Sequence, residues 1–160
     1  MKLFIGADHR GFELKNKLIE YIQEKDIRIE DLGNYQYEPE DDYPDYAKKV
    51  AEAVLQDPEN SLGIVICGSG VGVDIAANRY RGIRCGLAIS EEQVGHIREN
   101  DHITILALSA DSYDFEAAKT FVDRFLEAQP KKIEKYLRRA RKLDELEVKP
   151  GSSQPPADLA

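Results

Sequence analysis

Residues 62–67, Leu-Gly-Ile-Val-Ile-Cys, form an unbroken apolar run. Gly68-Ser69-Gly70-Val71-Gly72 follows at once, and then a helical pattern near 73–80. A strand apolar on both faces must be covered on both faces, which is the position of a central strand in a parallel sheet. The rest of the chain fits that requirement. Residues 2–7 are a short apolar run ending in small residues, and in 11–25 Phe12, Leu14, Leu18, Ile19 and Ile22 recur at helical spacing. Residues 27–32 alternate apolar and charged like a half-exposed edge strand, and a helix from Pro44 to about Gln56 follows a polar loop. A fourth strand is predicted over 83–89, a helix over 90–100 and a fifth strand over 103–109. Two further helices, 112–128 and 131–147, are broken near Gln129-Pro130.

Strand and helix alternate five times without a hairpin signal. The expectation is therefore an α/β fold, a Rossmann-like, doubly wound, five-stranded parallel sheet with right-handed crossovers and an extra C-terminal helix. Ligands of such sheets gather at the C-terminal ends of the strands. That puts loops 8–11, 33–43, 67–72 and 109–112 on one rim. The 160 residues suit one domain over 1–147, and the tail at 148–160, rich in Pro, Ser and Gly, is expected to be disordered.

Composition narrows the function. A net charge of −8 opposes a nucleic-acid coat while permitting a local anion site. Two cysteines, Cys67 and Cys85, both in apolar runs, do not make a disulfide framework. A reducing, cytoplasmic setting fits them and leaves Cys67 available for chemistry. No stretch has the length of a membrane helix, and the start of the chain enters a strand without a signal-peptide layout. No nucleic-acid or membrane partner is expected.

Cys67 and the glycines after it carry the strongest chemical signal. Glycines let main-chain N–H groups approach an anion, and the helix start favours negative charge. The segment lacks the Lys-Ser/Thr of a P-loop and the GxGxxG spacing. A thiol beside such a nest can become a thiolate, because positive potential favours the charged form. The plainer alternative is a small core cysteine followed by a tight turn. Asp8-His9-Arg10-Gly11, at the end of the first strand, can bind and protonate a polar ligand, or can simply cap a helix. Tyr43, in Asp42-Tyr43-Pro44-Asp45-Tyr46, is either a pocket wall or a packing residue. Residues 131–142 hold seven basic residues and one acid, beside an apolar stripe of Ile133, Tyr136, Leu137, Ala140 and Leu143. Lys135 and Arg139, four apart, form either a phosphate clamp or part of a solvated face. The three histidines, His9, His96 and His102, lack a zinc-ligand spacing, so no metal is expected.

Taken together, GADHRGFELK at the start, DYPDYA at 42–47 and GIVICGSGVGVDIAANR at 63–79 resemble the ribose-5-phosphate isomerase B and galactose-6-phosphate isomerase family over about residues 1–145. The resemblance implies aldose–ketose isomerisation of a phosphorylated sugar without cofactor or metal, in a homodimer, or a tetramer, with sites at the subunit interface. It implies that Cys67 is the base. The loop of Gly68, Ser69, Gly70, Val71 and Gly72 would hold the enediolate oxygens. Asp8, His9 and Tyr43 would contact substrate, and Lys135 and Arg139 would occupy the positions of two phosphate-binding arginines. The chain departs from the family at several positions. Asn100 stands at the ring-opening histidine and Asp101 at a substrate-contacting asparagine, so that His102 is the candidate replacement acid. Asp111 stands at a position that often holds a phosphate-binding arginine, and Lys135 is a poorer bidentate partner than arginine. Ribose 5-phosphate is the expected substrate. A hexose 6-phosphate, or a catalytically weak sugar-phosphate-binding subunit, are the alternatives that these departures raise.

Overall fold

The computed structural model describes residues 1–146. Five strands, β1 (Lys2–Ala7), β2 (Ile29–Asp31), β3 (Ser61–Cys67), β4 (Cys85–Leu87) and β5 (Ile105–Ser109), alternate with α1 (Phe12–Glu24), α2 (Tyr43–Leu55), α3 (Val71–Ala77), α4 (Glu91–Asn100) and α5 (Phe115–Glu127). A sixth helix, α6 (Glu134–Asp144), ends the described chain. The expected tail at 148–160 lies outside the described residues.

All strand pairs are parallel, in the order β2-β1-β3-β5-β4. Side chains alternate between two cores, as the pleat requires. Leu62, Ile64 and Ile66 of β3 join Leu3, Ile5, Leu106 and Leu108 against α1, α4 and α5. Val65 and Cys67 join Phe4, Ile105 and Ala107 against α2 and α3. The apolar run is thus continuous because each of its faces meets a different helical layer. The outer strands are shorter than the sequence suggests. β2 pairs only at Leu3, Phe4 and Ile5, and Ile83 has left the β4 ladder for the small core with α2 and α3.

The helix starts follow local chemistry. Ser90 caps α4 by accepting from the Gln93 amide at 3.1 Å, and Asp114 caps α5 by accepting from the Ala117 amide at 2.9 Å. Pro44 sits in the first turn of α2.

The chain leaves β1 toward β2 on one side and returns through α2 to β3 on the other. The winding direction therefore reverses between β1 and β3, and adjacent crossovers part there to open a crevice beyond the strand ends. Asp8 follows β1 and Cys67 ends β3, so these two residues flank that crevice.

Candidate active site

Cys67 lies at the C-terminal end of β3, 4 % exposed, on the face covered by α2 and α3. Its Sγ accepts a hydrogen bond from the Gly70 amide at 3.2 Å. Gly70 makes that contact possible. Its φ of 76° is left-handed, and a side chain there would meet Leu87 Cδ1 at 2.5 Å and the Leu108 main chain at 3.0 Å. Ser69 is exposed beside the sulfur, and its Oγ accepts from the Val71 amide at 3.3 Å. The first turn of α3 leaves N–H groups without intrahelical acceptors above the crevice. The Tyr43 ring stands over Gly72, where an added Cβ would come within 2.8 Å of two ring carbons. Tyr43 therefore lies against the loop of residues 68–72.

Asp8 follows β1, the strand next to the one that Cys67 ends. Its Oδ1 accepts from the amides of Arg10 at 3.0 Å and Gly11 at 3.1 Å, so it does turn the chain into α1 as a capping acid would. Burial pushes its carboxyl up from the usual carboxylate value, against the opposing pull of the Gly11 amide. His9 is partly exposed and bonded through Nδ1 to Asp41 Oδ1 at 2.7 Å, and its amide donates to the same oxygen at 2.9 Å. Asp41 Oδ2 accepts from Asn34 Nδ2 at 2.6 Å. The Tyr46 hydroxyl also bonds to Asp41, and burial together with that carboxylate raises it to about 12. Asp41 therefore fixes the His9 ring through Nδ1, so that Nε2 is the nitrogen left to serve a ligand.

The loop bearing Asn34 and Asp41 is itself anchored. Gly33 and Asn34 continue the pairing of β1, with Ala7 N–H donating to Gly33 O at 2.8 Å and Asn34 N–H to Ala7 O at 2.9 Å. The fully buried Lys15 ammonium holds Asp31 at 2.5 Å, and Asp31 in turn accepts the Gly33 amide at 2.9 Å. Sequence reasoning missed Asp41, Asn34, Tyr46 and Lys15. Asp41 is one acid in an acid-rich loop, and nothing local separates it from Asp42. Its pairing with His9 spans 32 residues.

Asp8, His9 and Asp41 bring one potential ligand atom each within 4.8 Å. Asp8 Oδ1 is engaged with two amides, and the His9 and Asp41 atoms with each other, so this donor set is already a hydrogen-bonded network. Cys85 is separate from it. Burial and the neighbouring Asp74 carboxylate push its thiol well above the ordinary range.

A single protomer does not bring the remaining candidates to this rim. Helix α4 returns to the N-terminal end of β5, and Asn100, Asp101 and His102 lie there. His102 is buried, its Nε2 within 3.1 Å of Lys131 O, beside a 770 Å³ cavity that Ser61 and Thr104 also line. Ser61 begins the strand that Cys67 ends, so six residue steps of roughly 3.3 Å, about 20 Å, separate the two rims. His102 thus does not turn inward to its own Cys67. Asn100 is buried, with its side-chain amide against the His96 ring at 3.1 Å. Lys135 and Arg139 are exposed on α6. That helix is tied to the lower rim, because Arg84 binds Asp144 at 2.5 Å and Leu137 lines the His102 cavity. Asp111, by contrast, is at the Cys67 rim, where Arg10 Nη2 donates to its Oδ2 at 2.6 Å.

Among known proteins, the ribose/galactose isomerase family profile matches residues 3–146. The ribose-5-phosphate isomerase B of Mycobacterium tuberculosis is 35% identical over 147 residues, 92% of this chain and 90% of that protein. Two solved structures superpose closely. Ribose-5-phosphate isomerase B from Thermotoga maritima has 42% identity and a TM-score of 0.85, over 91% of this chain and 98% of that one. The enzyme of the same name from Mycoplasma genitalium, with bound ribulose-5-phosphate, has 36% identity and a TM-score of 0.86, over 89% and 93%. Matched by the family profile over residues 3–146 and by relatives at 35–42% identity over nearly its whole length, the chain belongs to the ribose/galactose isomerase family.

Proposed function

We propose that this protein interconverts ribose 5-phosphate and ribulose 5-phosphate through an enediolate, with Cys67 moving the carbon-bound proton. One observation carries the reading: a lone sulfur ends the central strand at the winding reversal and receives a main-chain N–H from the loop that follows it. A donor aimed at sulfur interacts more strongly with a thiolate than with a thiol.

Ring opening comes first. His9, oriented by Asp41, supports the role of the acid that protonates the ring oxygen, and Asp8 borders the same space. Cys67 then removes the proton from C2, the electron pair moves toward the carbonyl, and an enediolate forms. Amides of residues 68–72 and the Ser69 hydroxyl stabilise its oxygens, each positioned donor contributing about 3 kcal/mol. The thiol returns the proton to C1, and a proton passes between the two oxygens. The reading assigns no metal and no cofactor.

The phosphate is assigned to Lys135 and Arg139 of a second copy in a homodimer, with the exposed Asp101 of that copy facing the sugar and Asn100 buried behind it. Their place at the rim opposite Cys67 supports this, because two-fold pairing can bring one protomer's lower rim to its partner's upper rim. Among the described residues no helix is long and apolar enough to cross a membrane, and the cytoplasm is the proposed compartment. Asp111, an acid on the rim, favours a second reading with a longer sugar, a hexose 6-phosphate. The ratio of kcat/KM values for the two phosphates separates them.

Cys67→Ala should lose at least about 10²-fold in conversion of ribose 5-phosphate, since a general base is worth 10²–10⁴. Retained activity within about tenfold of the parent removes Cys67 from the mechanism.

A further inference from the structure

We propose that Arg10 is a phosphate-binding, specificity-determining cation of this site, with Asp111 the residue that positions it. This rests on the reading of the substrate as a sugar phosphate.

Three observations support it. Arg10 follows Asp8 and His9 directly, on the strand-end loop that faces Cys67. Its guanidinium lies against Gly68, where an added Cβ would come within 2.5 Å of Nε and within 2.9 Å of Asp111 Oδ2. Finally, the 2.6 Å bond through Nη2 uses one edge of the guanidinium, which has five N–H donors in a planar fork. Both side chains are about half exposed, so the free edge can meet an anion without unfolding anything.

The ion pair also resolves the difficulty that Asp111 poses. A bare carboxylate at this rim would repel a phosphate dianion. Paired with Arg10, its charge is offset, and it restrains a long side chain that would otherwise lose rotamer freedom on binding. The two positions touch across the loop, so a cation projected from either one reaches the same space. Size discrimination follows as well. A guanidinium fixed against Gly68 sets the distance from the sulfur at which a phosphate can sit, and a sugar one carbon longer must bend to satisfy both.

The test uses the full chain and three variants, R10A, D111N and the exchange R10A/D111R. Binding of inorganic phosphate is measured by calorimetry, and kcat and KM on ribose 5-phosphate by assay. R10A should weaken phosphate binding and raise KM by about 10–100-fold, with kcat within about threefold. D111N, which keeps the cation but loosens its restraint, should weaken phosphate binding by about three- to tenfold, less than R10A does, and R10A/D111R should recover most of what R10A loses. Three outcomes overturn the proposal: a parent that does not bind phosphate, R10A binding within twofold of the parent, or R10A and D111N behaving alike with no recovery in the exchange. The last would make the pair a structural strut. A parent that binds phosphate through Arg10 yet shows no turnover supports the assignment of the cation and removes the isomerase reading instead.

Discussion

Gly70→Ala tests the link between backbone shape and chemistry at its narrowest point. The residue has a φ of 76°, and holding an L-residue there costs about 1–2 kcal/mol. The new methyl would lie 2.5 Å from Leu87 Cδ1, a contact that a rotamer change relieves, but also 3.0 Å from the carbonyl carbon and oxygen of Leu108 in β5. Those main-chain atoms are held in the ladder with β3, so the turn itself must shift, and overpacking of this kind costs a further ~1–3 kcal/mol. The sum, about 2–5 kcal/mol, corresponds to a fall in Tm of roughly 4–20 °C for a domain of this size. The same shift moves the Gly70 amide off Sγ, so kcat should drop in whatever fraction stays folded. Thermal melts by circular dichroism and a coupled ketose assay read the two effects. Gly72→Ala is the internal control. The three atoms nearest its added Cβ all belong to the ring of the exposed Tyr43, which can swing away, and its loss of stability should be about 1 kcal/mol or less. A Gly70→Ala melt within about 2 °C of the parent, or one no worse than Gly72→Ala, refutes the reasoning.

Two further outcomes are expected. Asp41→Asn should slow ribose 5-phosphate turnover by about 10²-fold by releasing His9, yet leave a tetrose 4-phosphate unaffected, because its esterified O4 cannot close a furanose ring; equal losses on both substrates exclude a ring-opening role. A mixture of Cys67→Ala chains with Lys135→Ala/Arg139→Ala chains, each weak alone, should regain roughly a quarter of the parent rate after subunit exchange; no recovery places the phosphate clamp and the thiol in the same subunit.

The architecture was legible because strand and helix periods differ and because parallel strands buried on both faces leave unbroken apolar runs. Residues 62–67 gave both the central strand and the position of Cys67 at its end. The ends of the outer strands were less legible, since β2 and β4 keep only three residues each where neighbours pair on one side. The placement of His102 was available in principle. A residue just before a parallel strand stands at the N-terminal rim, opposite the ligands, whatever its chemistry. Asp41 and Lys15 were not available, because their partners, His9 and Asp31, are chosen by the fold and leave no periodic trace. Arg10 with Asp111 is the same kind of case, two unremarkable charges 101 positions apart.

The division of the candidates between two rims bears on why the chain would pair at all. With a net charge of −8, it cannot attract a phosphate by overall field and needs concentrated local cations. Lys135 and Arg139 are such a concentration, but they lie on a helix tied to the rim opposite Cys67. The same helix region exposes Ile133, Leu143 and Leu146, at 53%, 50% and 71%, while Val71 and Ile75 stand exposed at 45% and 57% on α3, one turn apart beside the Cys67 loop. These two apolar faces lie at opposite ends of one sheet. In the proposed dimer, an isologous contact that lays the first on the second would bury both twice over and would carry each basic helix toward the other subunit's sulfur. In that arrangement Arg10 would be the cation each subunit supplies to its own site and α6 the one it lends, so a dianion would be gripped from both sides only once the two copies have met.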